Sequence, residues 1–94
     1  MKRIIDFRPL LSGPISKKNI DDIVESVHNY PEDFEGIYTL TYDEEIKVSW
    51  RATWACEKLA ILHPDWFEGK ENELIEKLLA SNHDGIKRIL LSIL

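Results

Sequence analysis

Two stretches decide how this chain is read: Gly36–Leu59, GIYTLTYDEEIKVSWRATWACEKL, and Leu74–Leu94, LIEKLLASNHDGIKRILLSIL. Set 38 residues apart, they place Ile37 on Ile75, Leu40 on Leu78 and Val48 on Ile86, then Ala52 on Leu90 and Ala55 on Ile93. A period near forty residues with two helical patterns per unit describes stacked helical hairpins, an α-solenoid. One hairpin cannot bury its own apolar face, so the stack has to supply the core.

The centre of the pattern is a helix predicted over 45–63. Val48, Ala52, Ala55, Leu59 and Leu62 share one face at 100° per residue, and Ile46, Trp50, Trp54 and Ile61 lie opposite. A helix apolar on two sides is expected to be covered on two sides. Small Ala52 and Ala55 admit a close neighbour. Asp43 is the expected cap, with Glu44 and Glu45 complementing the helix dipole.

Upstream, Ser16 is an N-cap candidate for a helix over 17–29, with Ile20, Ile23, Val24 and Val27 at helical spacing. Tyr30-Pro31 stops it, because the residue before proline avoids the helical region, and Pro31 opens a second helix. Phe34, Ile37, Tyr38 and Thr41 form its inward stripe. Residues 1–15 carry no helical period and are punctuated by Pro9, Gly13 and Pro14. They read as an irregular arm whose Ile4, Ile5, Phe7, Leu10 and Leu11 pack over the first helix.

Downstream, His63-Pro64 breaks the chain again, and Trp66 and Phe67 are available to plug the core. A fourth helix over 71–81 is expected to bury Leu74, Ile75, Leu78 and Leu79. Asp84 is the expected cap of a fifth, whose stripe is Ile86, Ile89, Leu90 and Ile93. The reading is one domain over 1–94: the arm, a first hairpin over 16–42, then an inner helix and second hairpin over 43–94. Leu91 and Leu94 fall off the inward stripe, so either these 94 residues belong to a longer solenoid or something else covers that end, with a homodimer the simplest candidate.

Composition narrows the class. The chain has 94 residues, 44% hydrophobic and 31% charged, as in a folded globular domain. Its net charge of −5 argues against general nucleic-acid binding, which rewards clustered Lys and Arg. No stretch approaches the roughly 20 apolar residues of a membrane span. The start, MKRIIDFRPLL, is interrupted by Asp6, Arg8 and Pro9, so it reads as a mature cytoplasmic N-terminus. Cys56 is the only cysteine; no internal disulfide can form, which suits a reducing compartment, and its apolar neighbourhood marks an inert thiol.

At this point the residues resemble a known family. Leu40, Asp43, Val48, Arg51, Ala52, Ala55 and Leu59 are similar to the consensus of a HEAT-type repeat, and Asp84, Ile86 and Lys87 resemble the Asp-x-x-Val-Arg opening of its inner helix. The pattern looks most like small bacterial HEAT-like proteins with a SWRA-W inner helix followed by an HDG-KR one. Ser49 after Val48 departs from the pattern. The resemblance implies an all-α fold, a right-handed α-α superhelix of about five helices. It implies a non-catalytic module for protein–protein interaction.

The candidate binding surface is a strip of Lys47, Arg51, Trp54 and Lys58, at i, i+4, i+7, i+11 on the inner helix. Lys87 and Arg88 extend it. Basic groups interleaved with an aromatic ring suit an acidic peptide or phosphates. The competing reading is that the cations lie along apolar surface while Trp54 fills the inter-unit seam. A second function class follows from the resemblance: some HEAT-like proteins are DNA glycosylases for alkylated bases, and that reading enlists Trp50 or Trp54, Arg51 and Asp84. His28, His63 and His83 sit at helix ends, where His28 and His63 complement the dipole. No histidine spacing suggests a metal site, and no cofactor is expected.

Overall fold

The computed structural model describes residues 6–14 and 16–94. The described residues form six α-helices and no strand: α1 (Arg8–Ser12), α2 (Lys17–Asn29), α3 (Phe34–Thr39), α4 (Ile46–Leu62), α5 (Glu71–Ala80) and α6 (Asp84–Ile93). Short 3-10 turns at Pro31–Asp33 and Leu40–Tyr42 flank α3, and a third at Pro64–Phe67 precedes α5. The helix expected from Pro31 onward is therefore three shorter pieces.

Helix α2 begins as its sequence predicts. Ser16 Oγ accepts from the Asn19 backbone N–H while Asn19 Oδ1 accepts from the Ser16 N–H, a reciprocal capping box. Ile20, Ile23, Val24 and Val27 are all buried. Helix α4 runs between α2 and α6 and touches both, while α3 and α5 form hairpins with α4 and α6. The core lies where these elements meet. Val48, Ala52, Ala55 and Leu59 of α4 have no exposed surface, and Ile37, Ile86 and Leu90 close over them. Each fully buried Val, Leu or Ile side chain here contributes about 1.5–3 kcal/mol, and the two alanines less.

Several expectations are corrected. The arm is not wholly irregular, since Arg8–Ser12 is helical; Ile4 and Ile5 lie outside the described residues. Pro9 sits in the first turn of α1, where its missing N–H costs nothing, and Asp6 Oδ1 accepts from the Arg8 N–H. Phe7 and Leu11 are buried but Leu10 is 54% exposed. Helix α4 starts at Ile46 with Glu45 at its cap, because the Asp43 carboxylate accepts from the Glu45 N–H and from Arg8. His83, not Asp84, caps α6: its Nδ1 accepts from the Ile86 N–H at 3.1 Å.

The second apolar side of α4 is covered only at Trp54, which is partly buried. Ile46, Trp50 and Ile61 are exposed, and Leu62 of the expected core face is too. Only Leu74 of the stripe predicted on α5 is buried, with Leu78 half-buried and Ile75 and Leu79 exposed. Helix α5 has neighbours on two sides of its circumference and solvent on the rest.

The repeat has two registers. A shift of 38 residues superposes buried Val48 and Ala52 of α4 on buried Ile86 and Leu90 of α6. At the corners the shift is 33. Tyr30 (φ −130, ψ 78) and His63 (φ −138, ψ 68) end α2 and α4 in nearly the same backbone conformation. Each is followed by a proline that opens a 3-10 turn, then by Phe34 or Phe67, whose rings meet edge-on at 5.2 Å. The sequence carries this signal as Pro31-x-x-Phe34-Glu35-Gly36 against Pro64-x-x-Phe67-Glu68-Gly69.

Candidate functional site

The basic strip predicted on α4 is drawn into the fold at three of its four residues. Arg51 Nη1 donates to the carbonyls of Leu11 at 2.7 Å and Gly13 at 2.6 Å, closing the C-terminal end of α1. Those carbonyls lack helical partners, and a guanidinium is well suited to satisfy both. Lys47 Nζ donates to the Ser12 carbonyl at 3.4 Å, and Lys58 pairs with Asp21 of α2 at 3.3 Å. Arg8 reaches back to Asp43 and Glu45, which holds the Asp43 carboxyl below the usual range, chiefly through the Arg8 hydrogen bond.

Trp54 has a different neighbour from these three. It is partly buried against the core and, with Trp50, Glu57, Gly85, Arg88 and Ile89, lines a groove of about 330 Å³ between α4 and α6. Trp50 is 41% exposed, and its ring lies 4.8 Å from that of His83. Gly85 makes this seating feasible: a Cβ there would come within 3.0 Å of Trp50 Nε1 and of His83 Cε1. Arg88 is exposed at the groove, whereas Lys87 does not line it. The structure thus brings Trp54 and Arg88 together and adds Trp50, while Lys47, Arg51 and Lys58 are engaged by α1, the segment after it and α2. Arg51 is likewise turned away from Trp50 and Asp84, its companions in the glycosylase reading.

Across the same seam lies a larger cleft of about 730 Å³, lined by Tyr42, Ile46, Glu73, Glu76, Lys77 and His83 among others. Lys77 donates to the Thr41 carbonyl and rests 4.5 Å from the Tyr42 ring centroid. Burial lowers its pKa, since the ammonium loses water. Tyr38 donates to Glu73 Oε1 at 3.0 Å and is pushed well above its ordinary value, first by burial. These bonds tie α5 to the α3–α4 hairpin. Burial also pushes the Cys56 thiol up to about 12, so it is not a nucleophile at neutral pH.

Two histidines do something that their spacing did not disclose. His28 Nδ1 and His63 Nε2 lie 2.8 Å apart, bridging the C-terminal ends of α2 and α4, and His63 stacks flat on Trp66 at 3.9 Å. Among the described residues no group of three or more His, Cys, Asp or Glu is arranged to hold a metal ion. No helix there is long and apolar enough to cross a membrane.

The fold is that of a helical-repeat stack. The chain matches the HEAT repeat domain family over residues 7–94 and belongs to that family. No curated protein and no solved structure matches it.

Proposed function

We propose that this chain is a non-catalytic protein-interaction module, and that its partner docks in the groove between α4 and α6. The observation that carries this reading is the seating of Trp50 and Trp54 beside Arg88 in an open groove on the middle helix of the stack. Tryptophan and arginine are the residue types that dominate binding energy at protein interfaces. A partner segment with an apolar side chain for the two indoles and a carboxylate for Arg88 fits the chemistry. Membership of the HEAT repeat family supports an interaction role, and the buried Cys56 thiol suits a reducing, cytoplasmic setting.

Within the predicted strip, Trp54 and Arg88 are the residues assigned direct contact, with Trp50 added. Lys47, Arg51 and Lys58 shape the face by anchoring α1 and α2, and Lys87 lies outside the groove. The test is a comparison of captured proteins. Wild-type chain, Trp50→Ala and Arg88→Glu are immobilised at equal density, with Glu25→Lys on α2 as a surface control. A partner retained by wild type and by Glu25→Lys but lost by both groove variants is the expected result. Equal retention by all four proteins rejects the groove.

A further inference from the structure

His83 stands between the groove and the larger cleft. Its ring lies 4.8 Å from that of Trp50, which lines the groove, and the same ring lines the cleft. Trp50 Nε1 and His83 Cε1 are both 3.0 Å from the place a Gly85 Cβ would take, so the three residues share one small space. The backbone of His83 is held from two directions. Its N–H donates to Ser81 Oγ at 3.1 Å, and its carbonyl accepts from the Lys87 N–H at 3.0 Å. Movement therefore falls to the side chain, which is half-buried and within reach of water.

The position of the ring requires one protonation state. His83 Nδ1 accepts from the Ile86 N–H, and only an unprotonated ring nitrogen can accept. The neutral ring thus carries its proton on Nε2. A further proton, on Nδ1, would face the Ile86 N–H donor to donor and set a cation at the positive end of α6. The cleft offers that cation a better place. It is lined by the carboxylates of Asp43, Glu73 and Glu76, opposed by Lys77, with Tyr42 beside them. Asp43 is engaged by Arg8 and Glu73 by Tyr38, while Glu76 stands exposed. The groove side carries one charge of each sign, Glu57 and Arg88, and Asp84 follows His83 on its own helix.

We propose that His83 is a pH-operated latch on the Trp50 groove. In its neutral form the ring caps α6 and holds the Trp50 indole beside Gly85. As pH falls and the ring takes a proton, the cap is lost and the imidazolium swings towards Glu76 in the cleft. The indole then loses the ring that seats it, and the groove loses a preorganised wall. Imidazole suits such a switch because its charge changes nearest neutral pH. The consequence is weaker docking in acid. That consequence rests on the docking role of the groove; the movement of the ring does not.

Nuclear magnetic resonance of the free, full chain tests the latch. At about pH 8 the imidazole nitrogen spectrum should show His83 with its proton on Nε2, and a proton on Nδ1 overturns the latch. On lowering the pH to about 5, the Ile86 amide and the Trp50 indole N–H resonances should shift together in one step. His83→Asn keeps a capping oxygen but cannot titrate, so both resonances should stay in place while His28 and His63 titrate as in wild type. A Trp50 resonance that ignores pH in wild type, or that shifts equally in His83→Asn, overturns the latch. Glu76→Gln should move the step to lower pH, and an unmoved step overturns the swing into the cleft. None of these readings needs a partner, so failure of the latch leaves the docking role standing, and failure of docking leaves the latch.

Discussion

The two flanks of α4 use similar side chains for different ends. On the flank facing α1 and α2, the cations Lys47, Arg51 and Lys58 are bonded to carbonyls and to Asp21, and the seam is closed. On the flank facing α6, Trp50, Trp54 and Arg88 line an open groove. What differs is the neighbour. Helix α1 ends in bare carbonyls that a guanidinium can satisfy. Helix α6 meets Trp50 with a glycine in its first turn and leaves the indole partly exposed. A basic residue on a repeat helix is thus left open to other contacts only where the adjoining element offers it nothing to bond.

The largest effect expected from this contrast is on stability. Arg51→Ala leaves two carbonyls of the α1 end unpaired and should cost about 2 kcal/mol. Arg88→Ala, on the open flank, should stay within about 0.5 kcal/mol of wild type. Urea unfolding of both variants checks the pair, and equal losses would erase the distinction between the flanks.

The two proline corners sharpen the comparison next. Gly36 and Gly69 occupy matching places after Phe34-Glu35 and Phe67-Glu68, yet only Gly69 has a positive φ, at 84°. Gly69→Ala should destabilise by about 1 kcal/mol, the cost of a Cβ in the left-handed region. Gly36 lies inside α3, and a Cβ there would meet nothing within 4 Å, so Gly36→Ala should stabilise by roughly 0.5–1 kcal/mol. Thermal unfolding should move the two melting points in opposite directions. A shift of the same sign would mean that the corners are not built as described.

The smallest effect concerns acid. Asp43 is held below its ordinary pKa by Arg8, so its contribution to stability is present above the unfolded value near ~4 and is lost as pH falls through the lowered one. Asp43→Asn should flatten the stability profile below about pH 4 and leave the remaining carboxylates' acid response in place. A profile identical to wild type would show that the Arg8 contact contributes nothing measurable.

Much of the fold was legible. The α2 stripe, the Ser16 cap, the buried face of α4 from Val48 to Leu59 and the exposure of Leu91 and Leu94 follow from helical spacing alone. The site was legible only in part. Of the groove's lining, Trp54 came from the same spacing that also selected Lys47, Arg51 and Lys58, and Arg88 from extending that strip to the last helix, because periodicity places residues on a face without saying what the face meets. Trp50 was assigned to a covered side, and its one clue is Gly85, a poor helix former in the first turn of α6. The His28–His63 pair left no mark in spacing at all, since each residue stands at the end of a different helix.

By itself the sequence determined the element types, their inward stripes and the repeat of the inner helices, because those depend on local spacing and on proline and capping chemistry within a few residues. Only the tertiary structure decided which cations are consumed, which tryptophan is open and which leucines stay uncovered. Those outcomes depend on the length and ends of neighbouring helices, where a carbonyl left without a partner or a missing Cβ far along the chain fixes what a side chain can do.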